Sequence, residues 1–175
     1  MKASALPTKI TQAYERFIQG ASYLSSPLLL VIRLYWGWQF FIGGYGKLMD
    51  IPKVAGFFAD NHILFPTLSA WLAGTAECVG GLFLLLGLLS RLTVIPLIFT
   101  MAVAYMTVEN ESLKAIFSEP DKFTGATPFL FLYACIIVLV FGPGVFSLDW
   151  LIHWIIRKTS VPASTTDSTR EPARI

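Results

Sequence analysis

Long stretches without charge, separated by short charged segments, constrain this chain more than any other feature. Residues 61–90 contain a single charge, that of Glu77, and residues 92–108 and 123–148 contain none. Only 14% of the residues are charged, whereas a soluble domain carries about 25%. Apolar stretches of bilayer length with charges in the gaps are typical of an integral membrane protein. This pattern excludes a disordered chain, a nucleic-acid-binding protein and an ordinary cytosolic enzyme.

The apolar stretches predict an all-α fold, an integral membrane four-helix bundle. At 1.5 Å per residue, about 20 residues of helix cross the hydrocarbon core. The predicted spans cover residues 27–48, 68–89, 92–108 and 127–146, and together they form one transmembrane domain over residues 27–147. The fourth span is expected to break near Gly142-Pro143-Gly144, because proline removes a hydrogen-bond donor and glycine permits a turn. The protein is therefore expected to contact the lipid bilayer along most of its length.

Amphipathic segments flank the predicted transmembrane domain on both sides. Apolar side chains recur at helical spacing within residues 8–24, which predicts that residues 1–26 form an N-terminal segment on the membrane surface. Residues 148–158 show the same pattern and carry two tryptophans, so we expect a second interfacial helix there, capped by Ser147. The tail over residues 159–175 is rich in Ser, Thr and Pro and is predicted to be disordered.

The distribution of basic residues predicts the orientation in the membrane. Four spans place both termini on the same side. Eight Lys and Arg residues lie on that side, and four lie on the other, where the loops are residues 49–67 and 109–126. Because cytoplasmic segments carry the excess of basic residues, both termini are predicted to be cytoplasmic.

Two charges inside the predicted spans, Arg33 and Glu77, are the first candidate functional residues. An isolated charge at bilayer depth costs at least about 2.5–3.5 kcal/mol, so each is expected to have a partner or to line a water-filled cavity. Counted from the cytoplasmic span ends, the depths of the two residues differ by about 7 Å. One arginine side chain can reach that far, so an Arg33–Glu77 pair is predicted, with Lys47 as the second candidate partner. The pair is either a structural fastener or a proton or substrate site around Glu77.

Small and hydroxyl-bearing residues indicate which helix faces point into the bundle. Helical spacing places Gly44 on the face of Arg33 and places Gly81 on the face of Glu77. Small residues let helices approach closely, so these faces are expected to pack together. Thr100 lies on a third polar stripe, along the third span. We take Gly44, Gly81 and Thr100 as candidate substrate-binding positions in a polar bundle interior.

Cysteine and histidine give weaker signals. Cys78 and Cys135 are predicted to be buried apolar side chains rather than a redox pair, because a dithiol relay has closely spaced cysteines. His62 is expected in an outer loop and His153 on the last helix surface. No metal site is predicted, and the sequence shows no haem, zinc or nucleotide-binding signature.

Three motifs follow Arg33 in a fixed order. They cover residues 41–50 (FIGGYGKLMD), 76–91 (AECVGGLFLLLGLLSR) and 142–149 (GPGVFSLD). With Arg33, they make a region of about residues 28–149 that resembles the DoxX family of small bacterial and archaeal membrane proteins. Carried over by motif, the polar positions of the family fall on Arg33, Lys47, Glu77, Arg91 and Asp149.

The resemblance implies a four-helix bundle in a bacterial inner membrane. The broader relatives of the family include vitamin K epoxide reductase-like proteins and the membrane subunit of a thiosulfate:quinone oxidoreductase. A quinone-linked subunit of a membrane-bound redox complex is therefore implied, with a quinone as the small apolar substrate or cofactor. Its partner is expected to be a redox protein or a second copy of the chain. This chain has no closely spaced cysteine pair, which argues against thiol–disulfide chemistry.

A quinone site needs an apolar slot, polar groups at the carbonyl oxygens and a source of protons. We therefore expect a candidate catalytic site between spans one and two, in which Glu77 delivers protons. Arg33 or Lys47 would stabilise the developing negative charge. The alternative is a non-catalytic membrane scaffold or small solute carrier, in which Arg33–Glu77 is a structural ion pair.

Overall fold

The computed structural model describes residues 8–159, and within that range it contains helices and no strand. The helices are α1 (Thr8–Met49), α2 (Ile51–Asp60), α3 (Pro66–Leu86), α4 (Ser90–Thr107), α5 (Asn110–Lys114), α6 (Pro120–Gly125), α7 (Thr127–Phe141) and α8 (Leu148–Thr159). The predicted all-α membrane bundle is confirmed. Residues 1–7 of the predicted surface segment, and the predicted disordered tail from residue 160 onward, lie outside the described residues.

The first helix is longer than a membrane span. α1 has 42 residues, which is about 63 Å at 1.5 Å per residue. It continues through Pro27, where the sequence predicts a boundary between a surface segment and the first span. Proline removes one backbone hydrogen bond within a helix, but the helix continues on both sides of it. Whether residues 8–24 lie on the membrane surface stays a prediction.

Four helices close around one core. α1 packs along α3, α3 along α4 and α4 along α7, and α7 returns to contact α1. The buried core side chains are Phe40, Leu84, Val94, Leu97, Met101, Cys135 and Val138. The Phe131 ring of α7 meets Phe40 and Trp36 of α1 edge-on, with centroid distances of 4.8 and 4.7 Å. These aromatic contacts hold α7 against α1.

The outer surface of the bundle is apolar. Large side chains point away from the core on every helix of the bundle, for example Trp38, Leu82, Phe99 and Val140. Phe99 is 69% exposed. Such extended apolar surface is unfavourable in water and suits a lipid environment. Within residues 8–159, three helices are long and apolar enough to cross a membrane: α3, α4 and the Tyr14–Met49 part of α1.

The fourth predicted span is shorter than expected. α7 is apolar but has 15 residues and ends at Phe141, at the predicted break near Gly142-Pro143-Gly144 and before residue 146. Gly142 follows with a φ of +79°, a left-handed conformation that ends the helix. The backbone N–H of Trp150 donates to the Ser147 hydroxyl at 3.1 Å, which confirms the predicted cap of the last helix. The four-span topology stays a prediction.

Candidate functional site

Glycines set how α1 and α3 pack against each other. A Cβ atom at Gly37 would lie 2.9 Å from the backbone nitrogen of Leu85, and one at Gly44 would lie 2.7 Å from the carbonyl oxygen of Gly74. Distances this short leave no room for a side chain, so the two backbones touch at these positions. The contacts fix an antiparallel register in which Gly44 lies opposite residues 74–78.

Lys47 and Glu77 form an ion pair within this helix interface. The Glu77 side chain is 6% exposed and the Lys47 side chain is 31% exposed. Side chains lean toward the N-terminus of their helix. In antiparallel helices they therefore lean toward each other, and Lys47 reaches Glu77 from the level of Gly74. The pair lies near the middle of α3, where an unpartnered charge would be costly in a membrane.

Arg33 does not contact Glu77, so the predicted Arg33–Glu77 pair is wrong. The register places Gly87 beside Arg33, and ten residues of α3, about 15 Å, separate Gly87 from Glu77. The prediction counted depths from assumed span ends, whereas the glycine contacts shift the register between α1 and α3 by about five residues. Lys47, the second candidate, is confirmed as the partner.

The Arg33 side chain is buried, 1% exposed, where α1 passes the connection between α7 and α8. Its Nη2 donates a hydrogen bond to the carbonyl oxygen of Phe146 at 2.5 Å. Its Nη1 lies so close to Gly87 that a Cβ atom there would collide with the guanidinium group. Within residues 8–159, Nε and Nη1 have no hydrogen-bond acceptor. Arg33 thus holds the α7–α8 connection against the end of α3.

Asp149 closes the same end of the bundle from α8. Its carboxylate accepts hydrogen bonds from the backbone N–H groups of Leu89 at 2.7 Å and Ser90 at 2.9 Å. Its own N–H donates to the carbonyl of Gly87 at 3.0 Å. Leu89 provides no side-chain cap for α4, so the carboxylate from α8 caps that helix and complements its positive end. The sequence analysis did not predict this contact. The occurrence of Asp149 at the end of the third motif was the only indication that this residue has a role.

Comparison with known proteins assigns the family. The DoxX family pattern matches residues 28–110, which include Arg33, Lys47 and Glu77. The uncharacterized membrane protein Rv3486 of Mycobacterium tuberculosis is 32% identical over 135 residues, which cover 70% of this chain and 80% of that protein. The chain belongs to the DoxX family. No solved structure matches it significantly.

The polar motif positions of this DoxX protein divide into two sites. Lys47 and Glu77 form the intramembrane pair between α1 and α3. Arg33 and Asp149 instead join α8 and the preceding connection to the turn between α3 and α4. Arg91 lies beside this second site and donates to the carbonyl of Val140 at 3.3 Å, near the end of α7. The three residues predicted to share one catalytic site therefore occupy two.

Two exposed glycines of α1, Gly43 and Gly46, precede Lys47. Gly43 is exposed, and a Cβ atom there would lie 3.5 Å from Oε2 of Glu77. Gly46 is exposed as well, and no atom of another packed element within the described chain lies within 4 Å of its Cβ position. Gly43 therefore places no side chain over Oε2 of Glu77, although the Glu77 side chain itself is 6% exposed.

The candidate substrate-binding positions have other contacts. Gly44 and Gly81 lie where α1 and α3 touch, and a Cβ atom at Gly81 would be 2.7 Å from the carbonyl oxygen of Gly37. The Thr100 hydroxyl donates to the carbonyl of Leu97 in its own helix at 2.8 Å. Substrate binding by Gly44, Gly81 and Thr100 stays a prediction.

The remaining candidates are dispersed. Cys78 on α3 is partly buried and Cys135 on α7 is buried in the core, and both thiols are free. His62 and His153 are exposed on different elements. In the described part of the chain, no three or more His, Cys, Asp or Glu side chains come together in a group that could hold a metal ion.

Proposed function

We propose that this DoxX protein is the membrane component of a redox complex and handles a quinone, or a similar small apolar carbonyl compound, at the Lys47–Glu77 pair. The observation that supports this most strongly is the pair itself. A buried carboxylate contacts a partly exposed ammonium group near the middle of α3, and the exposed Gly43 of α1 lies beside the carboxylate without a side chain to cover it. Ionisable groups at membrane depth are expensive and commonly mark substrate or proton pathways.

The two side chains have complementary chemistry for such a substrate. The Lys47 ammonium group can donate a hydrogen bond to a quinone carbonyl oxygen and stabilise negative charge that develops on it. Reduction of a quinone to a hydroquinone takes up two electrons and two protons. Glu77 can pass protons to the reduced oxygen, whereas the electrons are supplied by a partner redox protein. Arg33 lies beside Gly87, about 15 Å from Glu77 along the axis of α3. We therefore assign Arg33 to the α7–α8 connection and not to the quinone site.

The proposal includes a location and a topology. We place the protein in a bacterial inner membrane with four spans, α7 being the shortest. The excess of eight basic residues over four favours cytoplasmic termini. The Lys47–Glu77 pair then lies within the hydrocarbon region, where a lipid-soluble substrate is present. Reporter fusions after Lys158 and at Lys53 test the orientation, and an external signal after Lys158 contradicts it.

The test is binding of decylubiquinone to the purified protein in mild detergent. We expect the wild-type protein to bind it and Glu77→Gln to lose most of the binding, because glutamine keeps the volume but neither carries the charge nor exchanges protons. Glu111→Gln is the matched control, since it disrupts an exposed ion pair with Lys122. Equal binding by wild type and a folded Glu77→Gln protein contradicts the proposed role.

A second candidate function is a non-catalytic membrane scaffold or small solute carrier. The direct contact between Lys47 and Glu77 favours it, because the pair joins two helices whose backbones touch at glycines. In that case the wild-type protein binds no decylubiquinone. Replacing both charges together, as Lys47→Met with Glu77→Gln, then preserves the cellular activity wherever it preserves folding.

A further inference from the structure

A groove lies at the end of the bundle where α3 turns into α4, far from the Lys47–Glu77 pair. It has a volume of about 730 Å³ and runs between this turn and α8. Its walls include Ser90 and Arg91 from the start of α4, and Trp150, His153 and Arg157 from α8. The quinone proposal uses none of these residues.

The charge of the groove is positive. Arg91 lines it from the α4 side and Arg157 lines it from the α8 side. Arg91 uses one of its donors for the carbonyl of Val140 and keeps the others available. Asp149 also lines the groove, but both of its carboxylate oxygens accept backbone hydrogen bonds at the start of α4. The carboxylate also interacts electrostatically with the positive charge of Arg33. An anion in the groove therefore lies beside two guanidinium groups and one carboxylate, and the oxygens of that carboxylate already accept hydrogen bonds from the backbone.

The surroundings of the groove are apolar. Trp150 and Trp154 line it and stack on each other with centroids 6.5 Å apart, and Leu151 beside them is 42% exposed. Lys158 adds a cation 4.0 Å from the centroid of the Trp154 ring. Tryptophans with adjacent basic residues are typical of the level of lipid headgroups.

The position of the groove favours a lipid over a soluble anion. α3 and α4 are both long enough to cross a membrane, and the groove lies at the turn that joins them. That turn is the point where two candidate spans leave the hydrocarbon region, which is the level at which lipid headgroup phosphates lie. Basic groups that face a tryptophan-lined apolar surface match both parts of such a molecule.

We propose that this groove binds one anionic phospholipid. Its phosphate lies between Arg91 and Arg157, and its acyl chains lie against Trp150 and Trp154. Bound in this way, the lipid bridges α8 to the start of α4 and supplements the contact that Asp149 makes between them. The site is independent of the proposed quinone function.

Native mass spectrometry of the detergent-purified protein tests this inference. The probes are dioleoylphosphatidylglycerol, which is anionic, and dioleoylphosphatidylcholine, which has the same chains and no net charge. We expect retention of one phosphatidylglycerol per chain in preference to phosphatidylcholine. Arg91→Gln with Arg157→Gln is expected to weaken this binding about tenfold, since each basic residue at a headgroup contributes to the attraction.

Two controls make the result decisive. Lys53→Gln with Lys114→Gln removes the same charge from the opposite end of the bundle and is expected to leave lipid retention unchanged. Arg157→Gln alone spares the Arg91 contact with α7 and is expected to weaken binding without loss of folding. Equal retention of both lipids, equal loss in the control variant, or full displacement by soluble glycerol 3-phosphate overturns the proposal.

Discussion

Replacing Gly44 with alanine tests the helix contact that positions the Lys47–Glu77 pair. The added methyl group would lie 2.7 Å from the carbonyl carbon of Glu77 and from the carbonyl oxygen of Gly74. These are backbone atoms, which cannot yield without moving α3. Because carbon atoms in contact are normally about 3.5–4 Å apart, α1 and α3 must separate locally by about 1 Å. Overpacking of this kind costs about 1–3 kcal/mol, so we expect Gly44→Ala to lower the free energy of unfolding by about 2 kcal/mol.

Gly46→Ala is the matched control on the same helix. Its methyl group would meet no atom of another packed element within 4 Å among the described residues. Alanine is also the better helix former, by up to about 1 kcal/mol. Unfolding in mixed micelles of dodecyl maltoside and sodium dodecyl sulfate, followed by circular dichroism, measures both variants. If Gly44→Ala is as stable as Gly46→Ala, the close contact between α1 and α3 is refuted, and with it the register described above.

Two further changes test the other contacts. Asp149→Ala removes the cap of α4, so we expect a loss of about 1–2 kcal/mol and faster hydrogen exchange at the Leu89 and Ser90 amides. Unchanged exchange at these amides refutes the cap. Tyr105→Phe removes the hydrogen bond from the Tyr105 hydroxyl to the carbonyl of Phe123 at 2.9 Å but keeps the ring stacking. We expect a loss of about 1 kcal/mol in the same unfolding assay, and an unchanged stability contradicts that bond.

The helices of the bundle were predictable because the membrane imposes one strong constraint on their sequences. The predicted second and third spans, residues 68–89 and 92–108, differ from α3 and α4 by one to three residues at each end. Membrane-spanning helices must satisfy their backbone hydrogen bonds internally, so an apolar stretch without charge permits little else. The Ser147 cap was predictable for a similar reason, since it depends on local sequence.

The helix register was harder to predict because it depends on contacts between distant residues. The small residues in the sequence identified correctly which faces of α1 and α3 pack together. They did not indicate the axial register, that is, which residue of α1 lies level with which residue of α3. The assumed alignment of span ends made Arg33 and Glu77 neighbours, whereas the Gly44 contact makes Lys47 the partner. Likewise, hydropathy placed a boundary near Pro27, but α1 continues through this proline. A single proline removes one backbone hydrogen bond and does not end a helix whose residues on both sides are helical.

The break of the fourth span near Gly142-Pro143-Gly144 was predictable from its proline and glycines, whereas the long-range contact that it creates was not. Residues 142–146 contain no charge, so hydropathy alone extends the span through them. The positive φ angles of Gly142 and Gly144 turn the chain there instead. This turn brings the Phe146 carbonyl to Arg33, a contact between residues more than one hundred positions apart that no local pattern signals.

The proposed site depends on the coupling of Glu77 to Lys47 and not to Arg33. Two double-mutant cycles in the mixed-micelle unfolding assay test it directly, one with Lys47→Met and Glu77→Gln and the other with Arg33→Met and Glu77→Gln. Residues in contact show interaction energies of about 0.5–3 kcal/mol, whereas separated sites add within about 0.5 kcal/mol. We predict coupling of about 1–3 kcal/mol in the Lys47 cycle and additivity in the Arg33 cycle. Additivity in the Lys47 cycle together with coupling in the Arg33 cycle would contradict the Lys47–Glu77 pair.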